Sequence, residues 1–335
     1  MTITRRHLAG LASATAAAAA LPLRARAAEF TYKLGFNLPE THPMTVRARE
    51  AAARILEQSS GRLQVNVFPN SQLGGDTDML SQVRSGGLEL FGAPSLTLST
   101  LVPASAIPSV GFAFRSYDQV WAAMDGDLGA TIRGAIAKAG LVPMPRIWDN
   151  GFRQITSAEK QVLVPSDLGG FKIRVPVTAL LTSLFKALGA APASITFNEL
   201  YSALQTRIVD GQENPLALIE TGKLYEVQKR CTLSNHCWSG YWIVANRRAF
   251  GALPEALRDV LAASFDQSAA DERADLVKLE EALQTSLAKQ GLRFDRVDPA
   301  PFHDALQAAG FYGQWKKTFG EEAWGVLERY TGQLA

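Results

Sequence analysis

The chain is poor in the residues on which most enzymes and metal sites depend. Its 335 residues include only two cysteines and four histidines, which rules out a disulfide scaffold. No two of His7, His42, His236 and His303 sit at metal-ligand spacing, and two isolated thiols do not make a zinc site. The sequence has no G-x-S-x-G elbow, no phosphate-binding G-x-x-x-x-G-K-[ST] loop and no G-x-G-x-x-G after a strand. His236 beside Cys237 does not make a nucleophile pair, because adjacent strand residues point to opposite faces. Cys231 and Cys237 leave two readings open, a disulfide or two reduced, buried thiols. Long apolar runs are also missing. Beyond residue 28 each is broken by Gly, Pro or charge well short of the ~20 residues that a membrane span needs. Neither a cofactor nor a metal is expected.

The N-terminus stands apart. Arg5 and Arg6 precede an apolar, alanine-rich run from Leu8 to Leu23, and Ala25-Arg26-Ala27 forms an A-x-A cleavage site. Residues 1–27 are therefore expected to be an export signal, and Thr4-Arg5-Arg6-His7-Leu8 points to the twin-arginine route. This leader holds four arginines and no acids. Its loss takes Lys+Arg from 34 to 30 against 32 Asp+Glu, turning a net charge of +2 into −2. No basic field is left to attract nucleic acid.

What remains reads as a globular α/β chain, with 47% hydrophobic and 20% charged residues. It is long enough for two lobes. Strand, helix, strand, helix and strand patterns fall at 30–36, 44–60, 63–68, 76–85 and 88–91, with Asp76 expected to cap the second helix. A second series follows, with helices at 128–139, 178–188 and 197–205 and strands at 144–148, 171–175 and 241–245. From Pro254 to Gly291 no Gly or Pro intervenes, which predicts one long helix lying along both lobes, with a break near 264–271 as the alternative. No flexible linker divides the chain, so crossing strands are expected to join the lobes. The expected division is 28–125 with about 215–250 for lobe I, 126–214 for lobe II, and 251–335 for helices packing on both.

The chemistry concentrates in residues 148–176. Arg153 follows a strand among aromatic and apolar neighbours. Arg174 lies within the apolar strand 171–175, on the face opposite Ile173 and Val175. A guanidinium is a fork of donors matched to a carboxylate. Several phrases then line up along the chain: Gly61-Arg62-Leu63, Phe68-Pro69, Leu73-Gly74-Gly75, Asn150-Gly151-Phe152-Arg153, Asp167 to Pro176, Phe197 to Gln205, and Val209 to Pro215. In this order and spacing the chain resembles the solute receptors of tripartite ATP-independent periplasmic (TRAP) transporters over almost its whole length after the leader.

The resemblance implies a two-lobed periplasmic-binding-protein-like fold that closes over its ligand. It also implies a small carboxylate held by Arg174, with Asn214 as a polar contact and Arg153 as a second candidate cation. Phe36, Asn37 and Trp238 are further candidates. The implied partners are the integral membrane subunits of a TRAP transporter, with the receptor itself periplasmic and not an enzyme; a monomer is expected, with a dimer through the long helix as the alternative. Where many relatives carry Glu-Arg-Glu after the paired glycines, this chain departs with Asp76-Thr77-Asp78, and Asp76 is expected to cap the helix and not to bind ligand. An exported lyase or hydrolase using the same cleft, or a ligand sensor for a signalling partner, would share the fold.

Overall fold

The computed structural model describes residues 27–335, so the expected leader, Ala27 apart, lies outside the described residues. The strands in chain order are β1 (Phe30–Gly35), β2 (Leu63–Phe68), β3 (Leu90–Pro94), β4 (Leu141–Pro143), β5 (Trp148–Phe152) and β6 (Gln154–Ser157). They continue with β7 (Lys172–Val175), β8 (Ala191–Ser194), β9 (Gly211–Asn214), β10 (Arg230–Leu233), β11 (Trp238–Asn246) and β12 (Arg293–Arg296). They sort into two six-stranded sheets. The first runs β2-β1-β3-β11-β4, with β5 also paired to β11, and the second runs β12-β10-β6-β9-β7-β8.

Local sequence explains the opening of the first sheet. In β2, Leu63, Val65 and Val67 point into the core while Gln64 is exposed, the alternation of a half-buried strand. The helix Pro43–Gln58 starts where His42 accepts the Met44 amide at 3.3 Å and Pro43 occupies the first turn. Burial lowers the His42 imidazole to about 3, so it acts as a neutral cap.

The sheets divide the chain later than residue 126. β4 and β5 belong to the first sheet, and the chain first crosses at Arg153, between β5 and β6. It returns only after β10, through residues 234–237, so 215–233 lies on the second-sheet side. Nothing local marks this division. The three residues of β4 are placed by pairing with Val244–Asn246, a hundred residues away. The two crossings run side by side, because β5 pairs with β11 and β6 pairs with β10.

The long helix Glu255–Lys289 is continuous, with no break at 264–271. Its 35 residues extend ~52 Å. Leu257, Leu261 and Phe265 join the core of the first sheet, while Leu276, Leu283 and Leu287 pack with Val209 and Cys231 of the second. Three further helices, Ala300–Ala308, Phe311–Phe319 and Glu321–Thr331, also serve both lobes. Their Phe302, Tyr312 and Trp324 share one core with Leu128 and Ile132 on one side and Leu184 and Phe185 on the other. Among the described residues, no helix is long and apolar enough to cross a membrane.

Midway along the long helix, Glu272 is fully buried and its Oε2 accepts the Asp149 amide of β5 at 3.0 Å. The nearby guanidinium of Arg273 is engaged elsewhere, with Asp125 and the Ile147 carbonyl. Burial first, and the negative charge of Asp149 second, hold Glu272 well above its ordinary value of 4.5. A carboxyl raised in the folded state contributes most below that ordinary value, and its contribution is lost as pH climbs toward the folded value. Glu272→Gln cannot ionise. Its stability relative to the parent is therefore expected to grow from about pH 5 upward, by up to ~1.4 kcal/mol per pH unit. Urea unfolding of both proteins at a series of pH values checks this, and parallel profiles would refute it.

Candidate functional site

A narrow cavity of about 20 Å³ lies where the two sheets meet at the crossing strands. Arg174 of β7 points into it and is 2% exposed. Its Nε donates to the Ile195 carbonyl at 2.8 Å, which fixes the plane of the fork. Among the described residues, no carboxylate lies within ion-pair distance of its guanidinium. Burial, reinforced by the like charge of Arg153, pulls Arg174 down to about 10 against the attraction of Glu213 and Asp76. It remains a cation at neutral pH, removed from water and, among the described residues, with no carboxylate in direct contact. Such a group is costly unless an anion reaches it.

Arg153 also lines the cavity, but its charge is spent within the protein. Nη2 donates to Glu213 Oε1 at 2.9 Å, to the Glu213 carbonyl at 2.7 Å and to Asn214 Oδ1 at 2.9 Å, and Nε also pairs with the Glu213 carboxylate. His236 Nε2 lies 3.1 Å from the same carboxylate. Burial alone would raise Glu213, but Arg153 and His236 outweigh it and hold the carboxyl below its ordinary range. The result is a neutral, buried platform behind the cavity.

The opposite wall is polar. Asn37 donates to Asp76 Oδ2 at 3.0 Å and accepts the Tyr241 hydroxyl at 3.1 Å. Asp76, Ser95 and Asn150 line the cavity as well, and Asp76 Oδ1, Ser95 Oγ and Asn150 Oδ1 are buried with no hydrogen-bond partner in the protein. One fork of donors thus faces several unsatisfied polar oxygens.

The profile of the bacterial extracellular solute-binding proteins, family 7, matches residues 34–313. The chain belongs to this family. The family is made up of transport receptors. A TRAP periplasmic solute-binding protein from Sulfurospirillum deleyianum, with bound succinate, is 31% identical, with a TM-score of 0.85 over 91% of this chain and 99% of that one. Another from Polaromonas sp. JS666, bound to D-erythronate, is 29% identical, with a TM-score of 0.86 over 91% and 99%. The uncharacterised protein y4mM of Sinorhizobium fredii is 34% identical over 305 residues; these cover 90% of this chain but 56% of that protein. The chain therefore spans little more than half the length of that relative. The two-lobed α/β fold expected from the sequence stands.

Within this TRAP-family fold, Arg174, Arg153, Asn214 and Asn37 converge on the cavity. Phe36 and Trp238 do not line it. Phe36 packs its ring over Gly92, where an added Cβ would come within 2.0 Å of the ring. Trp238 is fully buried, donates to Asp149 Oδ1 at 2.8 Å and meets the Trp121 ring edge-on. Each lies one residue from a residue that does face the cavity: Ser239 follows Trp238 within β11, where side chains alternate, and Asn37 follows Phe36 in the bend after β1.

Asp76 is corrected in the other direction. The helix Asp76–Ser85 is capped at Gly75, whose amide bonds Asp78 Oδ2 at 3.0 Å. The carboxyl of Asp76 therefore faces the cavity instead of the helix end. Tyr241, Ser95, Asn150 and Ser239 also line the cavity without having been singled out from sequence, although Asn150 stands in the Asn-Gly-Phe-Arg phrase.

His236 and Cys237 do come together, contrary to the strand-based expectation. With Glu213, their ligand atoms lie within 4.8 Å of one another. Asn235 has a φ of 44°, so residues 234–237 are not a strand and do not alternate. Because Glu213 is already matched by Arg153, this cluster offers a cation little net attraction. Both cysteines are buried, unbridged thiols, and burial pushes each well above the ordinary range.

Proposed function

We propose that this chain is a periplasmic receptor. It captures a small organic acid, acts as a monomer without catalysing a reaction, and delivers the acid to the membrane subunits of a TRAP transporter. The observation that carries this is Arg174, a buried cation facing a cavity with no carboxylate in direct contact among the described residues. A ligand carboxylate would supply the missing charge with two parallel hydrogen bonds. Asn214 and Arg153 hold the neighbouring wall, and Asn37 the far one. The lobes close because the acid bridges them, interacting more strongly with the closed state than with the open one. The signal-like residues 1–27 support export, and the relatives bound to succinate and D-erythronate support an acid as ligand.

The test is a thermal-shift screen against organic acids, using protein unfolded and refolded to strip any carried-over ligand. An acid at ~100-fold its Kd is expected to add ~2.7 kcal/mol of stability and to raise Tm by several degrees. Absence of a shift across mono- and dicarboxylates of varied size would overturn the receptor reading.

A further inference from the structure

The cavity carries opposite charges at its two ends. Arg174 stands on β7 of the second sheet, and Asp76 stands at the start of the helix Asp76–Ser85, beside the first sheet. Among the charged residues near it, Arg153 and Glu213 neutralise each other, so Arg174 and Asp76 determine the field that a ligand meets. No ion pair joins these two among the described residues. They are held apart, with Asp76 tied through Oδ2 to Asn37 and Arg174 through Nε to Ile195.

We infer that Asp76 determines which acids are accepted, selecting hydroxylated monocarboxylates and rejecting dicarboxylates. The inference rests on the receptor reading and specifies its substrate class. A ligand anchored by its carboxylate at Arg174 brings its other end toward Asp76. If that end is a second carboxylate, it meets a like charge. Two unit charges roughly 6 Å apart at an effective dielectric near 20 repel by enough to change affinity about 100-fold. If it carries hydroxyls, they donate to Asp76 Oδ1 and satisfy a buried oxygen that has no partner in the protein.

Two further oxygens point to a hydroxylated chain and not to a single amino group. Ser95 Oγ and Asn150 Oδ1 are also buried without partners, and they stand on different elements from Asp76. One ammonium is a single centre of donors, whereas several hydroxyls along a carbon chain can reach acceptors spread over three elements. Burial raises Asp76 to about 6, with Asn37 and Arg174 opposing the rise, so the carboxyl is charged at neutral pH and able to discriminate.

The experiment is calorimetric titration of the refolded full chain and of Asp76→Asn with three sets of acids matched in length: aldonates of four to six carbons, the corresponding dicarboxylates, and α-amino acids. D-erythronate and succinate are the four-carbon pair. The parent is expected to prefer the aldonates by at least about tenfold, and Asp76→Asn to shift the aldonate-to-dicarboxylate ratio toward the dicarboxylates by about 100-fold. Should Asp76→Asn fail to fold, Asp76→Ser removes the same charge with a smaller side chain. Parent binding that favours dicarboxylates or amino acids overturns the inference, as does a ratio unchanged in a folded variant, and the receptor reading survives either result. Binding of none of the three sets would remove the receptor reading as well.

Discussion

Arg174→Ala is expected to lose about 2–5 kcal/mol of binding free energy for any carboxylate that the parent captures, a weakening from roughly thirtyfold to several thousandfold. The magnitude comes from burial. In the complex the ligand carboxylate would sit in a site with little water, and removing its guanidinium leaves that charge unmatched. The ligand-free protein should respond differently. There Arg174 is a desolvated cation with one hydrogen bond, from Nε to Ile195, so its removal should leave the melting temperature of stripped protein unchanged or slightly higher. Arg174→Lys keeps the charge but not the fork, and intermediate affinity is expected. Titration with an acid identified by thermal shift, together with melting curves of stripped protein, checks all three statements. Full affinity in a folded Arg174→Ala would show that the carboxylate binds elsewhere.

Glu213→Ala is expected to destabilise the ligand-free fold by about 3–5 kcal/mol. Arg153 is 3% exposed and Glu213 is fully buried, so the substitution strands a cation that water cannot reach. His236 loses its carboxylate partner in the same step. The crossing strands make the damage general, since Arg153 is the residue at which the chain first passes from one sheet to the other. Replacing both partners by apolar residues, Arg153→Met with Glu213→Leu, should recover most of the loss, because then no charge is left buried alone. Urea unfolding of the single and double variants decides the matter. A loss below 1 kcal/mol in Glu213→Ala would mean that the pair contributes little to holding the lobes together.

These two arginines show how far residue type alone can lead. Both are forks of donors near the same cavity, and both were legible as candidates from the apolar sequence around them. Their roles differ because Glu213, sixty residues beyond Arg153, lies against one and not the other. Nothing local to either arginine carries that information. Phe36 and Trp238 fail as cavity residues for a related reason. A motif locates a segment to within a residue, and adjacent residues then take opposite fates, Trp238 and Ser239 through the pleat of β11, Phe36 and Asn37 in the bend beyond β1. Asp76 hides behind a local ambiguity. Two aspartates stand at one helix start, either could serve the cap, and only the folded backbone shows that Asp78 does so.

By itself, then, the sequence determined the α/β class and a long Gly- and Pro-free helical stretch, because periodicity, helix breakers and composition act over a few neighbouring residues, while the order of its motif phrases carried the resemblance to the family; that the helix Glu255–Lys289 runs unbroken is seen in the fold. Tertiary structure alone decided how the strands sort between the two sheets, which arginine is paired by a carboxylate, and which oxygens of the cavity are left unsatisfied. Those outcomes depend on pairings between residues tens to hundreds of positions apart, and burial and charge compensation become defined only when such residues meet.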